Sequence, residues 1–392
     1  MSSTRLTRAL VDLARLERNW RRLVQVHRGH RVMTVLKANA YGHGLVPCAR
    51  FLQGLGQPLF GVALLDEALA LREAGITGRI LVLGPPEPGT LPLYGRHRIE
   101  VTLPSLAHLS TAIATAADGA WDAPLGAHLK CDTGMGRVGL QAAALEGVRT
   151  LLRDPAFPHG GLAVRGVYSH LAEAERLESG FCDVQRAAFE RWCGGIAEVL
   201  PGAPPERHLA NSAGLLRDPA LHYDYARVGF ALWAPLGFHP PDRAPAANGA
   251  LEPVLSLVTR VSHAKTLGAG DGVGYSRTYR AQEREVIATL PVGYGDGYFR
   301  NLGNRGEVLL GGRRRPIVGT VSMDQTTVSL GQDPCTPGDE AVLLGGSPAQ
   351  GAAITVADLA AWAGTIDYEV LTHLGARVPR EYVYDGRALP TP

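Results

Sequence analysis

Several features that mark particular classes of protein are missing from this chain of 392 residues. Its 39 basic residues are balanced by 37 acidic ones, and no lysine- or arginine-rich tract occurs beyond Arg313-Arg314-Arg315. Proteins that bind nucleic acid carry a clear excess of positive charge, so nucleic acid is not an expected partner. The arginine triplet follows Gly311-Gly312 and precedes Pro316, which predicts a solvated hairpin turn.

Signals for export, membrane insertion and metal binding are missing as well. The segment 1–20 interleaves charged and apolar residues, so it lacks the continuous apolar core of a secretory signal. The stretch with the fewest charges, 341–357, is broken by glycine and proline and is not expected to span a bilayer. The five cysteines have no metal-ligand spacing, and we expect no metal site. These absences predict a soluble protein of the reducing cytoplasm, without a membrane partner.

The first part of the chain contains eight short, apolar, strand-like runs, at 31–36, 59–64, 79–83, 98–103, 126–130, 163–169, 207–209 and 225–230. Patterns typical of amphipathic helices lie between most of them, for example at 66–73, 105–117, 141–153 and 183–200. Strands that alternate with helices pair in parallel. Eight such units predict an α/β fold that begins with a (β/α)8 TIM-type barrel over residues 1–240. Chemistry in such barrels sits at the C-terminal strand ends, where Lys37, Lys130 and His170 fall.

The pattern changes after residues 235–249, which are rich in proline, alanine and glycine and predict a linker. Short β-type runs follow, separated by turns that contain glycine, at 254–261, 285–290, 307–310, 316–321, 326–330 and 340–344. We therefore predict a second, mainly β domain over residues 241–392.

The segment Val35-Leu36-Lys37-Ala38-Asn39-Ala40-Tyr41-Gly42-His43-Gly44 ends a short apolar strand on a lysine and continues into a turn of small residues. A lysine held beside apolar walls can lose its proton and form a Schiff base with an aldehyde. The alternative is a lysine at a strand end that points into water.

This segment and eight others resemble the alanine racemases, the fold-type III enzymes that use pyridoxal 5′-phosphate. The other eight are 128–137, 168–170, 208–213, 227–230, 274–275, 293–298, 323–325 and 366–369. Each is weak to moderate alone, but their joint order along nearly the whole chain is specific. The resemblance implies an isomerase that interconverts L-alanine and D-alanine, supplies D-alanine for bacterial peptidoglycan, and acts as a homodimer with shared active sites.

Racemisation removes a proton from one face of the substrate and returns one to the other, so it needs two bases. The resemblance implies that Lys37 handles the proton of the D-enantiomer and that Tyr275 of the other subunit stands opposite. A tyrosine with the ordinary pKa of about 10 needs help to act near neutral pH. In the family a histidine and an arginine give that help, and they match His170 and Arg227 here.

Arg227 also has an implied role toward the cofactor. An arginine beside the pyridine nitrogen donates a hydrogen bond and leaves that nitrogen unprotonated, which weakens the ring as an electron sink and limits transamination. The alternative is an arginine at the barrel rim that pairs with Asp224. The phosphate is expected to be held by Ser212, by backbone amides near Gly229 and Phe230, and by Tyr41 and Tyr368. For the two tyrosines simple packing is the alternative.

The resemblance places the carboxylate of the amino-acid substrate on Arg137 and on the backbone amide of Met323. It also implies that Lys130 carries a carbamate that holds Arg137, whereas a plain lysine beside Asp132 is the alternative. Structural or supporting roles are expected for His43 and His208. Asp324 is expected to orient its neighbours, and Tyr294 and Arg300 match positions at the substrate entrance of relatives.

Two departures from the family pattern, Trp233-Ala234 and Thr320, leave the preference for alanine over serine or larger substrates open. Two other functions use a related architecture. A decarboxylase of basic amino acids would need a protonated pyridine nitrogen, which Arg227 disfavours. A non-catalytic carrier of pyridoxal phosphate would resemble the barrel alone and would have no use for Tyr275.

Overall fold

A computed structural model describes residues 4–27, 31–121, 123–155, 157–158, 160–200, 202–347 and 352–389. The chain forms two compact units. The barrel unit comprises Leu16–Ala40 and Leu45–Glu252, and the β unit comprises Met1–Arg15, Tyr41–Gly44 and Pro253–Pro392. No helix within the described ranges is both long and apolar enough to cross a membrane.

Strands are numbered along the chain, so β1 (Arg8–Asp12), which belongs to the β unit, precedes the strands of the barrel unit. The barrel strands are β2 (Arg31–Val35), β3 (Leu59–Val62), β4 (Arg79–Val82), β5 (Val101–Leu103), β6 (Leu125–Lys130), β7 (Leu162–Tyr168), β8 (Glu206–His208) and β9 (Tyr225–Val228). They form two parallel sheets in the orders β4-β3-β2-β9 and β5-β6-β7-β8. A parallel bridge from Leu81 to Glu100 joins the sheets at one side. The amide of Asp224 donates to the Arg207 carbonyl at the other, which completes the ring.

Most helices of the barrel unit lie between its strands in sequence, and the last one follows β9. They are Leu45–Gly54, Leu65–Glu73, Leu91–Arg96, Leu106–Ala117, Leu145–Arg153, Phe181–Ala197, Ser212–Arg217 and Ala246–Gly249, and the helix Leu13–Val26 enters the unit from β1. Apolar strand residues such as Met33, Leu59 and Leu81 pack together inside the ring. The eight predicted strands and the barrel class are confirmed, with strand ends that differ by up to three residues.

The predicted linker at 235–249 is wrong, because this segment is part of the barrel unit. Asn248 is buried there, and its side chain accepts a hydrogen bond from the Leu236 amide at 2.8 Å and donates to the Leu236 carbonyl at 3.0 Å. A segment rich in proline and glycine leaves backbone groups without secondary-structure partners, and here a buried amide side chain satisfies two of them.

The β unit contains the remaining strands and two helices. The strands are β10 (Leu255–Arg260), β11 (His263–Leu267), β12 (Gly272–Val273), β13 (Tyr279–Arg280), β14 (Glu285–Leu290), β15 (Glu307–Leu310), β16 (Arg313–Pro316), β17 (Thr326–Gly331), β18 (Glu340–Ser347), β19 (Ala352–Ile354), β20 (Arg380–Tyr384) and β21 (Arg387–Ala388). The helices are Val356–Ala363 and Asp367–Thr372. The largest sheet has the order β16-β15-β18-β10-β1-β20-β21, with β19 beside β18. Smaller sheets are β11-β14-β17 and β12-β13.

The N-terminal strand belongs to this second unit. β1 pairs antiparallel with β10 and parallel with β20, so hydrogen bonds hold residues 8–12 in the C-terminal sheet. The sequence prediction had counted these residues with the barrel, because their pattern is that of any first strand before a helix. The predicted limits 1–240 and 241–392 stay predictions, and their last residues, 390–392, lie outside the described part of the chain.

Two predictions around the arginine triplet are wrong. The run 316–321 is not a strand beyond Pro316, and the triplet lies on β16 rather than in a turn. The register Leu310 to Arg313 leaves Gly311-Gly312 as a two-residue turn, with φ of +64° and +75°. Such turns require positive φ at both positions, which glycine permits. Arg314 pairs with Glu307 and Asp358, and Arg315 with Asp333.

Candidate active site

The segment after β2 forms a left-handed helical turn. Ala38, Asn39, Ala40 and Tyr41 have φ between +51° and +56°. For residues other than glycine this conformation costs roughly 1–2 kcal/mol each, and it is seldom adopted by several residues in succession. Only asparagine among the four is enriched in it, so the sequence pattern predicts a turn here but not its left-handed conformation.

Hydrogen bonds from three sides hold the turn. The Ala38 amide donates to the Glu67 carboxylate at 2.7 Å, and the Asn39 side chain accepts from the Leu45 amide at 2.8 Å. The Ala40 amide donates to the Leu36 carbonyl at 2.7 Å. These contacts offset the backbone strain and fix the base of the Lys37 side chain at the C-terminal end of β2.

Lys37 lies among other cations at this end of the barrel. Its side chain still reaches solvent, but partial dehydration, followed by the charges of Arg137 and Arg227, lowers its pKa, while Glu67 opposes the shift. Dehydration and three of these cations lower the pKa of Lys130 to about 8. The structure therefore brings Lys37, Lys130, Arg137 and Arg227 together in a region that attracts anions.

Arg227 is the most deeply buried cation of this group, with 4% of its surface exposed. Its Nη1 donates to His208 Nδ1 at 3.1 Å, and its Nη2 donates to the Ser169 carbonyl at 2.6 Å and to His170 Nδ1 at 3.2 Å. Burial lowers the pKa of Arg227 to about 10, against the influence of Tyr168 and Tyr225, so it stays cationic near neutral pH.

The alternative pairing of Arg227 with Asp224 is not what the structure shows. The Asp224 carboxylate accepts from the Arg207 amide at 2.6 Å and lies 3.5 Å from the Arg207 Nε. Among the described residues, the hydrogen bonds of Arg227 use Nη1 and Nη2 only, and their acceptors are neutral. The Nε–H donor is therefore left for a ligand.

His170 is held neutral in this setting. Dehydration, followed by the charges of Arg227, Arg137, Lys130 and Lys37, brings the pKa of His170 well below its ordinary value. Because a guanidinium can only donate, the Nδ1 that faces Arg227 must be an acceptor. The proton of the neutral ring is then on Nε2, which can donate to a further group.

Ser212 and the loop after β9 form a second small group. The buried Ser212 hydroxyl accepts from the Gly229 amide at 3.0 Å and from the Ala231 amide at 3.4 Å. The next residue of the loop, Phe230, is buried too. The Ser212 hydroxyl, which accepts from both amides, can still donate its own hydrogen at the last βα loops, where barrel enzymes commonly bind phosphate.

In the β unit, Tyr41 lies close to Tyr368, with ring centroids 6.4 Å apart and ring planes at 57°. Gly42 makes this approach possible, because a Cβ on it would stand 2.1 Å from the Leu371 carbonyl oxygen. The Gly42 carbonyl accepts from Arg380 Nε at 2.9 Å. Buried His43 accompanies them, with Nδ1 2.9 Å from the Tyr41 carbonyl oxygen.

Tyr275 and Met323 lie together elsewhere in the β unit. They line a cavity of about 590 Å³ with Gly274, Ser322, Asp324 and Gln325. Tyr275 is 71% exposed and Met323 52% exposed, which is unusual for large apolar side chains. Asp324 is fixed by Arg377 at 2.6 Å. The predicted site residues of the β unit thus lie in two places, and the others lie in the barrel unit.

Comparisons with known proteins agree with this geometry. The family model described as Alanine racemase, N-terminal domain, matches residues 11–235, and the model described as Alanine racemase, C-terminal domain, matches residues 254–382. The chain belongs to the alanine racemase family. An alanine racemase of Carboxydothermus hydrogenoformans is 40% identical over 382 residues, covering 96% of this chain and 99% of that protein. That of Symbiobacterium thermophilum is 41% identical over 388 residues, covering 97% and 98%.

Solved structures of alanine racemases match over their full length. The enzyme of Streptomyces lavendulae is 36% identical with a TM-score of 0.90, covering 97% of this chain and 98% of that one. The Bacillus anthracis enzyme, solved with bound L-Ala-P, is 33% identical with a TM-score of 0.88, covering 100% and 98%. The Bartonella henselae enzyme, with covalently bound pyridoxal phosphate, is 27% identical with a TM-score of 0.84, covering 96% and 99%.

Membership of the alanine racemase family confirms the predicted class, an isomerase that depends on pyridoxal phosphate and racemises alanine. The residues of the barrel unit fit such a cofactor. Lys37 is a lysine of lowered pKa, Ser212 lies with loop amides at the last strand, and Arg227 is a buried donor whose Nε–H is left for a ligand. A guanidinium among neutral acceptors suits a neutral ring nitrogen, whereas a carboxylate there would suit a protonated one.

Proposed function

We propose that the chain racemises alanine with two bases, Lys37 of one subunit and Tyr275 of its partner. The observation that carries the proposal is the contrast between the two residues. Lys37 lies in a group of cations with a lowered pKa, whereas Tyr275 stands 71% exposed on the β unit. An exposed tyrosine beside a cavity is an incomplete site that a second copy of the chain would complete.

Pyridoxal phosphate, when bound, would delocalise the electron pair left at Cα after the α-proton leaves. Lys37 would hold its aldehyde, and Arg227 would donate to its ring nitrogen. The phosphate would be held by Ser212, by the amides near Gly229 and Phe230, and by Tyr41 and Tyr368. The wider excess of positive charge favours both the phosphate and the carboxylate of the substrate.

Lys37 would take or return a proton at Nζ on one face of the substrate. A base must be unprotonated to act, and an ammonium among Arg137 and Arg227 loses its proton more easily than one in water. The lowered pKa of Lys37 supports this role. The fixed left-handed turn at its base would limit where Nζ can reach.

Tyr275 would act on the opposite face with help from the partner's barrel. His170 is neutral and carries its proton on Nε2, so it can donate to a phenolate oxygen. Arg227 adds a positive charge behind it. A hydrogen bond and a nearby cation both stabilise a phenolate, so His170 and Arg227 would support Tyr275 as a base.

Arg137 and the Met323 amide would hold the substrate carboxylate. A carbamate on Lys130 would add a negative charge that positions Arg137. Carbamate forms from the neutral amine, and a pKa of about 8 leaves part of Lys130 neutral near pH 7. The Asp132 carboxylate accepts from the Gly134 and Gly136 amides, so it is already engaged in its own loop.

The proposal includes the setting in which the enzyme acts. We infer a homodimer of the cytoplasm, whose D-alanine supplies the peptidoglycan of a bacterium. Families of this kind work on a free amino acid, and L-Ala-P bound to the Bacillus anthracis relative supports such a substrate. Against a decarboxylase stands Arg227, since its donors disfavour a protonated ring nitrogen.

A complementation experiment tests the shared site. Lys37→Ala and Tyr275→Phe chains are each assayed alone and after coexpression in equal amounts, with pyridoxal phosphate present. Random pairing makes half of the dimers mixed, and each mixed dimer has one intact site, so about a quarter of wild-type activity should return. No recovery, with mixed dimers demonstrated by mass spectrometry, would mean that both bases come from one chain.

The chemistry itself is tested by exchange at Cα in deuterium oxide, followed by NMR beside a chiral assay of the product. Exchange with inversion from both L-alanine and D-alanine is expected. Exchange with retention alone would mean that the second base is missing, and no exchange would remove the racemase proposal.

A further inference from the structure

A chain of hydrogen bonds continues from Arg227 into the interior of the barrel. Arg227 Nη1 lies 3.1 Å from His208 Nδ1, His208 Nε2 lies 3.0 Å from His128 Nδ1, and His128 Nε2 lies 3.0 Å from Glu100 Oε2. These residues come from β9, β8, β6 and the residue before β5. Both histidines are fully buried and Glu100 is 6% exposed.

Every hydrogen bond along this path is donated in the same direction, from Arg227 toward Glu100. The guanidinium of Arg227 has donors but no acceptor atom, so His208 Nδ1 must accept from it. Dehydration, followed by the charge of Arg227, brings the pKa of His208 well below its ordinary value, so the ring is neutral and its proton is on Nε2. His128 Nδ1 then accepts, and His128 Nε2 donates to Glu100. The protein thus admits one tautomer for each ring.

Packing holds the two imidazoles in place. His208 is stacked between Tyr168, at a centroid distance of 4.6 Å, and Tyr225, at 4.4 Å. His128 has room only because its neighbour on β7 is Gly166, where a Cβ would stand 2.2 Å from His128 Nδ1. Because such a ring cannot rotate, the hydrogen bond made by one nitrogen decides whether the other nitrogen donates or accepts.

Glu100 anchors the far end as an anion. Burial alone would raise its pKa, but His128 and Arg79 outweigh burial and lower the pKa to about 2. Arg79 Nε lies 2.8 Å from Glu100 Oε1, and Arg79 also pairs with Glu206 at 2.8 Å. Both oxygens of Glu100 are therefore surrounded by donors, and only a carboxylate accepts on every side.

We propose that His208, His128 and Glu100 are positioning residues for racemisation, which fix the acceptor that Arg227 meets and so hold its guanidinium in the one orientation in which it would donate to the cofactor. The inference rests on the proposed role of Arg227 toward the ring nitrogen. Interiors of such barrels are normally filled by branched apolar side chains, which avoid the cost of burying polar groups. A path of hydrogen bonds that runs in one direction and ends on Arg227 can fix the orientation of that side chain, which apolar packing cannot do.

Glu100→Gln tests the proposal, with Glu206→Gln as its matched control. Both substitutions disturb Arg79. Only Glu100→Gln also places an NH2 group next to the donor Nε2 of His128, on the path of hydrogen bonds that leads to Arg227. The purified holoenzymes, labelled with ¹⁵N histidine, are compared by NMR of the ring nitrogens, and the Kd of pyridoxal phosphate and kcat with alanine are measured.

Wild type and Glu206→Gln should show only the Nε2–H tautomer for His128 and His208, whose signals are assigned from His128→Gln and His208→Gln. Glu100→Gln should show mixed tautomers, with the Kd of the cofactor raised and kcat reduced by about 10- to 100-fold, the range found for partners that orient a binding group. Glu206→Gln should stay within about twofold in both constants.

Equal effects of Glu100→Gln and Glu206→Gln, or unchanged tautomers and kinetics in Glu100→Gln, would overturn the proposal. If Glu100→Gln does not fold, His128→Leu breaks the same chain and should reproduce its kinetic losses, while His128→Gln keeps a donor and an acceptor and should retain more activity. A wild-type protein with the expected tautomers but no racemisation would refute the proposed function and leave the hydrogen-bond chain standing.

Discussion

The two units present their candidate residues in opposite ways. In the barrel unit, Arg227 is 4% exposed and is bound on several sides by neutral acceptors, and Lys37 directly precedes a turn fixed by three hydrogen bonds. In the β unit, Tyr275 is 71% exposed beside a cavity. The barrel side is organised by its own contacts, whereas Tyr275 on the β side is open to solvent. Substitutions in the barrel unit should therefore reduce activity by altering the charge or position of several groups. Substitution of Tyr275 should affect a single proton-transfer step.

The largest effect should come from Lys37→Ala. It removes the proposed base, which is also the proposed attachment point of the cofactor, so kcat should fall by at least about 10⁴-fold in both directions. The assay is the rate of racemisation from each enantiomer, with absorbance of bound pyridoxal phosphate recorded in parallel. Lys265→Ala is the control, because Lys265 is exposed on β11 and is the one lysine besides Lys37 and Lys130. Comparable losses in both variants would remove the special role of Lys37.

Tyr275→Phe should have a smaller and one-sided effect. Loss of one base should reduce racemisation by about 10²- to 10³-fold. Because Lys37 remains, solvent deuterium should still enter D-alanine with retention, while exchange into L-alanine is lost. Tyr279→Phe is a matched control in the same region, since its hydroxyl donates to Glu285 at 2.8 Å. A symmetric loss of exchange from both enantiomers would contradict the division of roles between the two units.

Lys130 offers a test by pH. Its pKa is lowered to about 8, so its amine is protonated below that pH and neutral above it. Carbamate needs the neutral amine, so with ¹³C bicarbonate the carbamate signal in NMR should grow as the pH rises from about 7 to about 9. Lys130→Met should lack the signal and show a KM for alanine about tenfold higher, the effect of losing a hydrogen bond to a charged group. A carbamate signal that persists in Lys130→Met but disappears in Lys265→Ala would place the carbamate on Lys265 and contradict the prediction.

Periodicity and motif order predicted much of the barrel side from sequence. The eight strands, the position of Lys37, Lys130 and His170 at strand ends, and Arg227 on the last strand all follow from patterns that are local in the chain. Partial dehydration and the charges of Arg137 and Arg227 lower the pKa of Lys37 although its side chain is exposed, and its role stays a prediction. The family models and relatives then confirmed the class of enzyme.

Features that arise only when the chain closes on itself could not be predicted. The path from Arg227 to Glu100 joins four segments that are far apart in sequence. The sequence predicts a structural or supporting role for His208 but not its partners. β1 pairs with strands that follow the whole barrel in sequence, so no local signal places it in the C-terminal sheet. The left-handed turn after Lys37 depends on Glu67 and Leu45, whose hydrogen bonds outweigh the preference of its alanines.

The smallest effect should come from relieving that turn. Ala38 has φ of +52°, and glycine adopts this conformation without the cost of about 1–2 kcal/mol that alanine bears. Glycine also adds about 0.4–1 kcal/mol of entropy to the unfolded chain, so Ala38→Gly should raise the free energy of unfolding by roughly 0.5 kcal/mol. Ala70→Gly, in the helix Leu65–Glu73, should instead lower it by about 1 kcal/mol. Urea denaturation of both holoenzymes at one cofactor concentration measures whether each substitution raises or lowers the free energy of unfolding. A loss of stability in Ala38→Gly equal to that in Ala70→Gly would mean that the turn stores no backbone strain. The contacts of Glu67 and Asn39 would then be an ordinary part of the fold, not what holds residues 38–41 in an unfavourable conformation.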